Sequence, residues 1–217
     1  MQSSSQSNSP DSGPGAPGRT ERGGPRNPCP ATKPLTPIVF TGDRGLKGRL
    51  SAEEHPTFWV YVPYPSDRIE SATFSLRSRE DNEEEHIVYE TNLNIRETPG
   101  IIRISIPSTE EPLQLNNWYR WYLFVDVYCD ENSPASKDRV YGWVRREQLD
   151  SPLPNTATPQ EKAFQLAKNG FLYDAVTILA EVNDLQGIQN LLNNYQLETI
   201  ANEPLVDCCT TENEALP

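Results

Sequence analysis

Two histidines and four cysteines are the side chains in this 217-residue sequence best suited to nucleophilic, acid–base or metal chemistry. His55 follows Glu53 and Glu54, and His86 follows Glu83, Glu84 and Glu85. Consecutive residues of an extended loop point in different directions, so neither cluster converges on one metal ion without ligands from elsewhere. A solvated hairpin tip accounts for the acidic run Asp81–Glu85. Asp130-Glu131-Asn132, with Asp126 and Asp138 nearby, offers oxygen atoms but lacks the spaced D-x-D-x-D-G frame of a calcium loop. No GxSxG elbow presents a serine to either histidine, and the many carboxylates single out no glycosidase pair. Gly13-Pro14-Gly15-Ala16-Pro17-Gly18 fits GxGxxG in letters only, because the dinucleotide loop works between a strand and a helix and prolines interrupt on both sides. The expectation is a protein with no catalytic residue, no metal and no cofactor.

The cysteines carry a different chemistry. Cys29, in Pro28-Cys29-Pro30, borders the first structured segment, and Cys129 closes a long strand on its core side. A bridge between them would close a loop of about 100 residues and stabilise by about 4 to 5 kcal/mol in the chain-entropy model. Two unrelated reduced thiols are the alternative; the bridge is the expectation, and an oxidising compartment is its corollary. Cys208 and Cys209 are adjacent, where a bond between neighbours is strained, so exposed thiols or an intermolecular link are expected.

The elements that position these residues follow from patterning. Residues 1–35 are dominated by Gly, Pro and Ser and read as a disordered lead. They contain no apolar stretch of the kind a signal peptide needs, although a mature chain would look the same. From 36 to 150 short β-rich runs alternate with turn residues: Thr36–Phe40, Thr57–Tyr61, Ala72–Arg77, Ile87–Ile95, Ile101–Ile106, Trp118–Cys129 and Arg139–Arg145. About seven antiparallel strands is the immunoglobulin-like number, so the expected fold is an all-β immunoglobulin-like sandwich. In the sixth strand Tyr119, Trp121, Leu123, Val125, Val127 and Cys129 share one face, the expected core face. Tyr119 forms a tyrosine corner or packs as an ordinary core residue.

The opposite face of that strand carries Trp118, Arg120, Tyr122, Phe124, Asp126 and Tyr128, its aromatic row joined by Tyr141 and Trp143 if the seventh strand lies beside it. An outward aromatic row is either a ligand platform, as in sugar-binding sandwiches, or a landing site for the chain's own helices. The helices are expected to cover it. Thr158-Pro159-Gln160-Glu161 is a capping-box start, Asn169-Gly170 a left-handed stop, and two further amphipathic stretches follow. Residues 151–203 thus read as a helical region with one tetratricopeptide-like hairpin, and 204–217 as a disordered acidic tail.

Charge narrows the partners. The net charge is −12, and neither the lead, the β region nor the helical region is a basic footprint, which argues against nucleic acid. No apolar run approaches the roughly 20 residues of a membrane-spanning helix, so no membrane insertion is expected.

Several segments together resemble a known family. They are Glu54-His55-Pro56-Thr57-Phe58-Trp59-Val60-Tyr61-Val62-Pro63-Tyr64, Thr98-Pro99-Gly100-Ile101, Trp118-Tyr119-Arg120-Trp121-Tyr122 ending in Tyr128-Cys129-Asp130, Gly142-Trp143-Val144, and Asn169-Gly170 to Asp174-Ala175. In collinear order they are similar to the cyanobacterial domain of unknown function 928 family. The resemblance implies an exported, extracytoplasmic, non-catalytic protein of the periplasm, envelope or extracellular space, and transfers no site residue. The expected function is a binding module for another protein; the alternative is a glycan-binding module using Trp118, Arg120, Tyr122, Phe124, Tyr141 and Trp143.

Overall fold

The computed structural model describes residues 29, 33–39, 49–78, 85–206 and 209–211. In chain order the elements are β1 (Thr36–Pro37), β2 (Leu50–Ser51), β3 (Thr57–Val62), β4 (Ile69–Ser78), β5 (His86–Asn94), β6 (Gly100–Ser105), β7 (Trp118–Val127), β8 (Ser136–Arg146), α1 (Pro159–Lys168), α2 (Leu172–Glu181), α3 (Leu185–Asn194) and β9 (Thr210–Thr211). They form a three-stranded sheet in the order β1-β3-β6 and a six-stranded sheet in the order β2-β8-β7-β4-β5-β9. All pairings among the strands are antiparallel except β2 with β8, where Leu50 lies against Arg145 in parallel register.

Period-2 alternation decides which side chains enter the space between the sheets. Phe58, Val60 and Val62 from β3 and Ile102 and Ile104 from β6 meet Ala72, Phe74 and Leu76 from β4, Trp121, Leu123 and Val125 from β7, and Val140 and Val144 from β8. Phe58 centres an aromatic cluster, with ring centroids 5.2 Å from Phe74, 5.5 Å from Trp121 and 5.4 Å from Tyr173. The Trp121 ring lies flat over Gly142, where a Cβ would come within 2.7 Å of the indole, so β8 needs glycine there. The Tyr119 hydroxyl accepts a bond from the Gln114 backbone N–H at 2.9 Å, which is the tyrosine-corner arrangement. The Cys29–Cys129 disulfide is present, with Cα atoms 5.1 Å apart. It ties the segment entering β1 to the strand leaving β7, one from each sheet.

The helices begin and end as their sequences dictate. Thr158 and Glu161 form a reciprocal capping box, and Gly170 adopts φ 98° after α1. Their landing site differs from the expected one. They cover the outer face of the small sheet, burying Ile38, Trp59, Tyr61 and Ile101 with Ala163, Leu166, Leu172, Val176 and Leu179. The reason is in β3: its run Phe58-Trp59-Val60-Tyr61-Val62 is apolar on both faces, and the core takes only alternate residues. Tyr173 reaches through to the inter-sheet core, where its hydroxyl accepts from Trp121 Nε1 at 2.8 Å and donates to the Trp143 carbonyl at 3.0 Å.

Described residues of the lead and of the tail join the fold. Leu35 is wholly buried, so the lead joins the core before residue 36; residues 1–28 lie outside the described residues. At the other end, residues 204–206 and 210–211 of the expected loose tail are paired, while 207–208 and 212–217 lie outside the described residues. Ile101 N–H donates to the Pro204 carbonyl at 2.7 Å, Val206 N–H to the Ile101 carbonyl at 3.0 Å, and β9 pairs with Leu93 and Asn94 of β5. Gly100 makes this possible, because a Cβ there would meet the Val206 side chain at 2.6 Å. Cys209, expected as an exposed thiol or an intermolecular link, is disulfide-bonded and packs at the margin of the inter-sheet core; none of the described cysteines is free. The acidic composition hid Leu205, Val206 and Cys209, whose apolar side chains anchor the segment. Cys208 lies outside the described residues.

Candidate functional site

The face of the large sheet turned away from the core holds the six side chains singled out from sequence. Register places Arg120 opposite Trp143, Tyr122 opposite Tyr141, and Trp118 opposite Arg145, all pointing the same way. On the other side of β7, Arg77 of β4 lies opposite Arg120 and Thr73 opposite Phe124. The rings pack on one another: Tyr122 and Phe124 are stacked at 5.6 Å, Tyr122 and Tyr141 are tilted at 5.9 Å, and Trp118 meets Trp143 edge-on at 6.3 Å.

Neither helices nor open solvent cover the indoles. Trp118 is 1% and Trp143 5% exposed. Cationic side chains lie across the rings: the Arg120 guanidinium sits 4.3 Å from the Tyr141 centroid, 5.0 Å from Tyr122 and 5.4 Å from Trp143, Arg77 is 4.9 Å from Tyr122, and Arg145 is 5.9 Å from Trp118. The long stems shield apolar surface, and the ring quadrupoles hold the guanidinium groups in place. Tyr141, Phe124 and Arg120 remain half-buried.

A carboxylate completes the arrangement. Glu85, just before β5, accepts from the Tyr122 hydroxyl at 2.9 Å, pairs with Arg120 Nη1 at 3.3 Å and stands 3.7 Å from Arg77 Nη1. Burial pushes the Tyr122 hydroxyl up to about 12, and Glu85 adds to the shift while Arg120 and Arg77 oppose it, so the phenol keeps its proton and donates. Further along, Lys137 pairs with Asp126 at 3.5 Å. Arg139 is exposed, and neither it nor Arg145 has a carboxylate within ion-pair distance among the described residues.

The other sequence candidates scatter. His55 Nε2 contacts the Glu110 carbonyl at 2.9 Å, and Glu54 pairs with Arg146 at 2.7 Å. Glu85 turns onto the sheet, and residues 81–84 of the expected hairpin tip lie outside the described residues. The acidic groups near the β7–β8 turn diverge: Asp130 binds Asn132 N–H and Ser133, Asp126 faces Ser71 and Lys137, and Asp138 is buried against the Tyr64 hydroxyl at 2.6 Å. Among the described residues no three His, Cys, Asp or Glu side chains gather as metal ligands.

Residues that sequence reasoning missed are Arg77, Glu85, Lys137, Arg139 and Arg145. The alternation Arg139-x-Tyr141-x-Trp143-x-Arg145 puts four of the site's side chains on one face of β8, a signal legible at period two. Arg77 comes from β4 and Glu85 from the residue just before β5, and both are brought in only by cross-strand register.

Asp174 forms a second buried polar contact, away from this face. It accepts from the Ser51 hydroxyl at 2.6 Å and from Ala52 N–H at 2.7 Å, joining α2 to β2. Burial pushes its carboxyl up to about 7, against the pull of those two donors.

Two packed β-sheets with three C-terminal helices on the smaller one, and a cation-capped aromatic face on the larger, define the class of this protein. The chain belongs to the Domain of Unknown Function (DUF928) family, whose match spans residues 18–205. No curated protein and no solved structure matches it.

Proposed function

We propose that this is an exported, non-catalytic binding protein whose working surface is the outer face of the large sheet and whose partner is another protein. The observation that carries the reading is the ordered Arg–Tyr–Trp assembly around Arg120, left clear of the helices. Arginine, tyrosine and tryptophan are enriched at the centres of protein interfaces, and rings already stacked under guanidinium groups lose little side-chain freedom when a partner docks.

Export is supported by the Cys29–Cys129 disulfide, which suits an oxidising compartment, and no described helix is long and apolar enough to cross a membrane. The immunoglobulin-like reading draws support from strand order. Of the seven strands expected from sequence, the first, second and fifth make one sheet, and the seventh, sixth, third and fourth lie side by side in the other.

Glycan stacking is the second reading, and it has only Phe124 and Tyr141 to offer, since the two indoles are covered. A photo-crosslinking amino acid placed at Arg139, with one at Glu181 on α2 as control, tests the assignment in the native envelope. Adducts to protein from position 139 and none from 181 are expected; adducts from 181 alone would move the working surface to the helices.

A further inference from the structure

The partner's chemistry is written on the same face. The chain as a whole is strongly acidic, at −12, yet this face gathers Arg77, Arg120, Lys137, Arg139 and Arg145. Against them stand, among the described residues, Glu85, Asp126, which Lys137 engages, Glu90 at the β5 margin and Glu70, which accepts from the Tyr128 hydroxyl. Among the described residues the cations of this face outnumber its carboxylates by one, whereas the chain as a whole carries −12. Such a local contrast steers an acidic partner segment to this face while the rest of the surface repels it.

Glu85 shows what the cradle accepts. Its carboxylate is held by two guanidinium groups and a phenolic O–H, an arrangement of charge-assisted donors suited to a glutamate or aspartate side chain. Arg139 and Arg145 lie on the adjacent strand, with no such carboxylate among the described residues. They bracket Tyr141 and Trp143, so four alternate residues of β8 form a row about 20 Å long at the usual strand rise.

We propose that the outer face of the large sheet docks an acidic segment of a partner protein, with Arg139 and Arg145 taking its carboxylates alongside the Arg77–Arg120–Tyr122 cradle that Glu85 occupies. This rests on the reading of that face as the working surface. An acidic peptide is favoured over an acidic polysaccharide because the carboxylate already bound is a glutamate side chain and the indoles offer no open face for a sugar ring.

The test uses the full chain with two probes, a glutamate-rich peptide and an oligogalacturonate, followed by titration calorimetry at low salt. The peptide is expected to bind and to weaken by roughly tenfold or more when Lys137 and Arg139 are both reversed to glutamate, and again in about 0.5 M salt. Both side chains are exposed, so the double variant should keep its fold, which its circular dichroism spectrum verifies. Glu85→Gln, which removes the resident carboxylate, is expected to tighten binding several-fold, and this variant carries the test independently if the double reversal unfolds. No peptide binding, binding indifferent to these substitutions and to salt, or tighter binding of the oligogalacturonate would overturn the proposal. A basic protein captured from position 139 would overturn the acidic partner while leaving the face as the working surface.

Discussion

On β3, Trp59 and Tyr61 turn away from the inter-sheet core and are buried beneath helices; on β7, Trp118 and Tyr122 turn away from the same core and are buried among arginine-capped rings. The two sheets thus solve one problem, an aromatic outer face, by different means. The small sheet has an apolar covering layer joined by close packing, with Trp59 Nε1 satisfied by Thr177 at 3.0 Å. The large sheet lays charged side chains over the rings instead. A face covered by helices serves stability, whereas a face covered by cations can exchange them for a partner.

Breaking the helical cover should have the largest effect. Removing residues 157–217 strips Trp59, Tyr61 and Ile101 of their cover and takes away Tyr173, so the remaining fragment is expected to aggregate or fail to fold, measured by light scattering and circular dichroism. A soluble fragment with an unchanged melting midpoint would make the helices an independent module.

Next is the staple between the sheets. Cys129→Ala opens a link across 100 residues of sequence separation and should cost about 4 to 5 kcal/mol, read from denaturant titration beside the wild-type chain under non-reducing conditions.

Tyr173→Phe leaves Trp121 Nε1 without its acceptor inside the core and should cost about 1 to 3 kcal/mol, with the fold retained.

Asp174 sharpens the helix side of the comparison through pH. Its folded-state pKa is raised from 3.8 to about 7, so the folded chain holds this proton more tightly than the unfolded one. The stabilisation is complete below the unfolded value and is lost as pH rises toward and through about 7. Asp174→Asn, which stays uncharged, should flatten that decline; an unchanged slope of stability between pH 5 and 8, relative to wild type, would show that the carboxylate is not protonated on folding.

The smallest effect belongs to the exposed cations. Lys137→Gln and Arg139→Gln should each leave stability within about 0.5 kcal/mol, even though charge reversal there is expected to weaken acidic-peptide binding.

How much of this was legible depends on the range of the interaction. The alternation in β7, the Tyr119 corner and the Thr158–Glu161 cap are local and could be read residue by residue. The two-residue strands β2 and β9 could not, because only their partners β8 and β5 make them strands. The helices were assigned to the wrong sheet face for a related reason. Trp118, Tyr122 and Phe124 looked like an unmet apolar surface until cross-strand register brought Arg77 and Arg120 over it, while the doubly apolar β3 signalled the true need for cover. Of the candidate face, all six expected side chains lie together; the charges that give it a sign came from three strands at once.

The last paired residues have a consequence for how the molecule behaves in a crowd. Pro204–Val206 lie along Ile101 at the margin of the small sheet, and β9 then lies along β5 at the margin of the large one. Residues 204–206 and 210–211 therefore add to one margin of each sheet. Exposed strand margins are templates for polymerisation, and a strand already added from the same chain blocks end-to-end growth there. Upstream of Leu93 the β5 margin is uncapped by β9, and Ile87 and Val88 are solvent-facing. Loss of the closing segment would lengthen that vacant margin, so clipping near residue 203 should be felt first as filament or oligomer growth at high concentration.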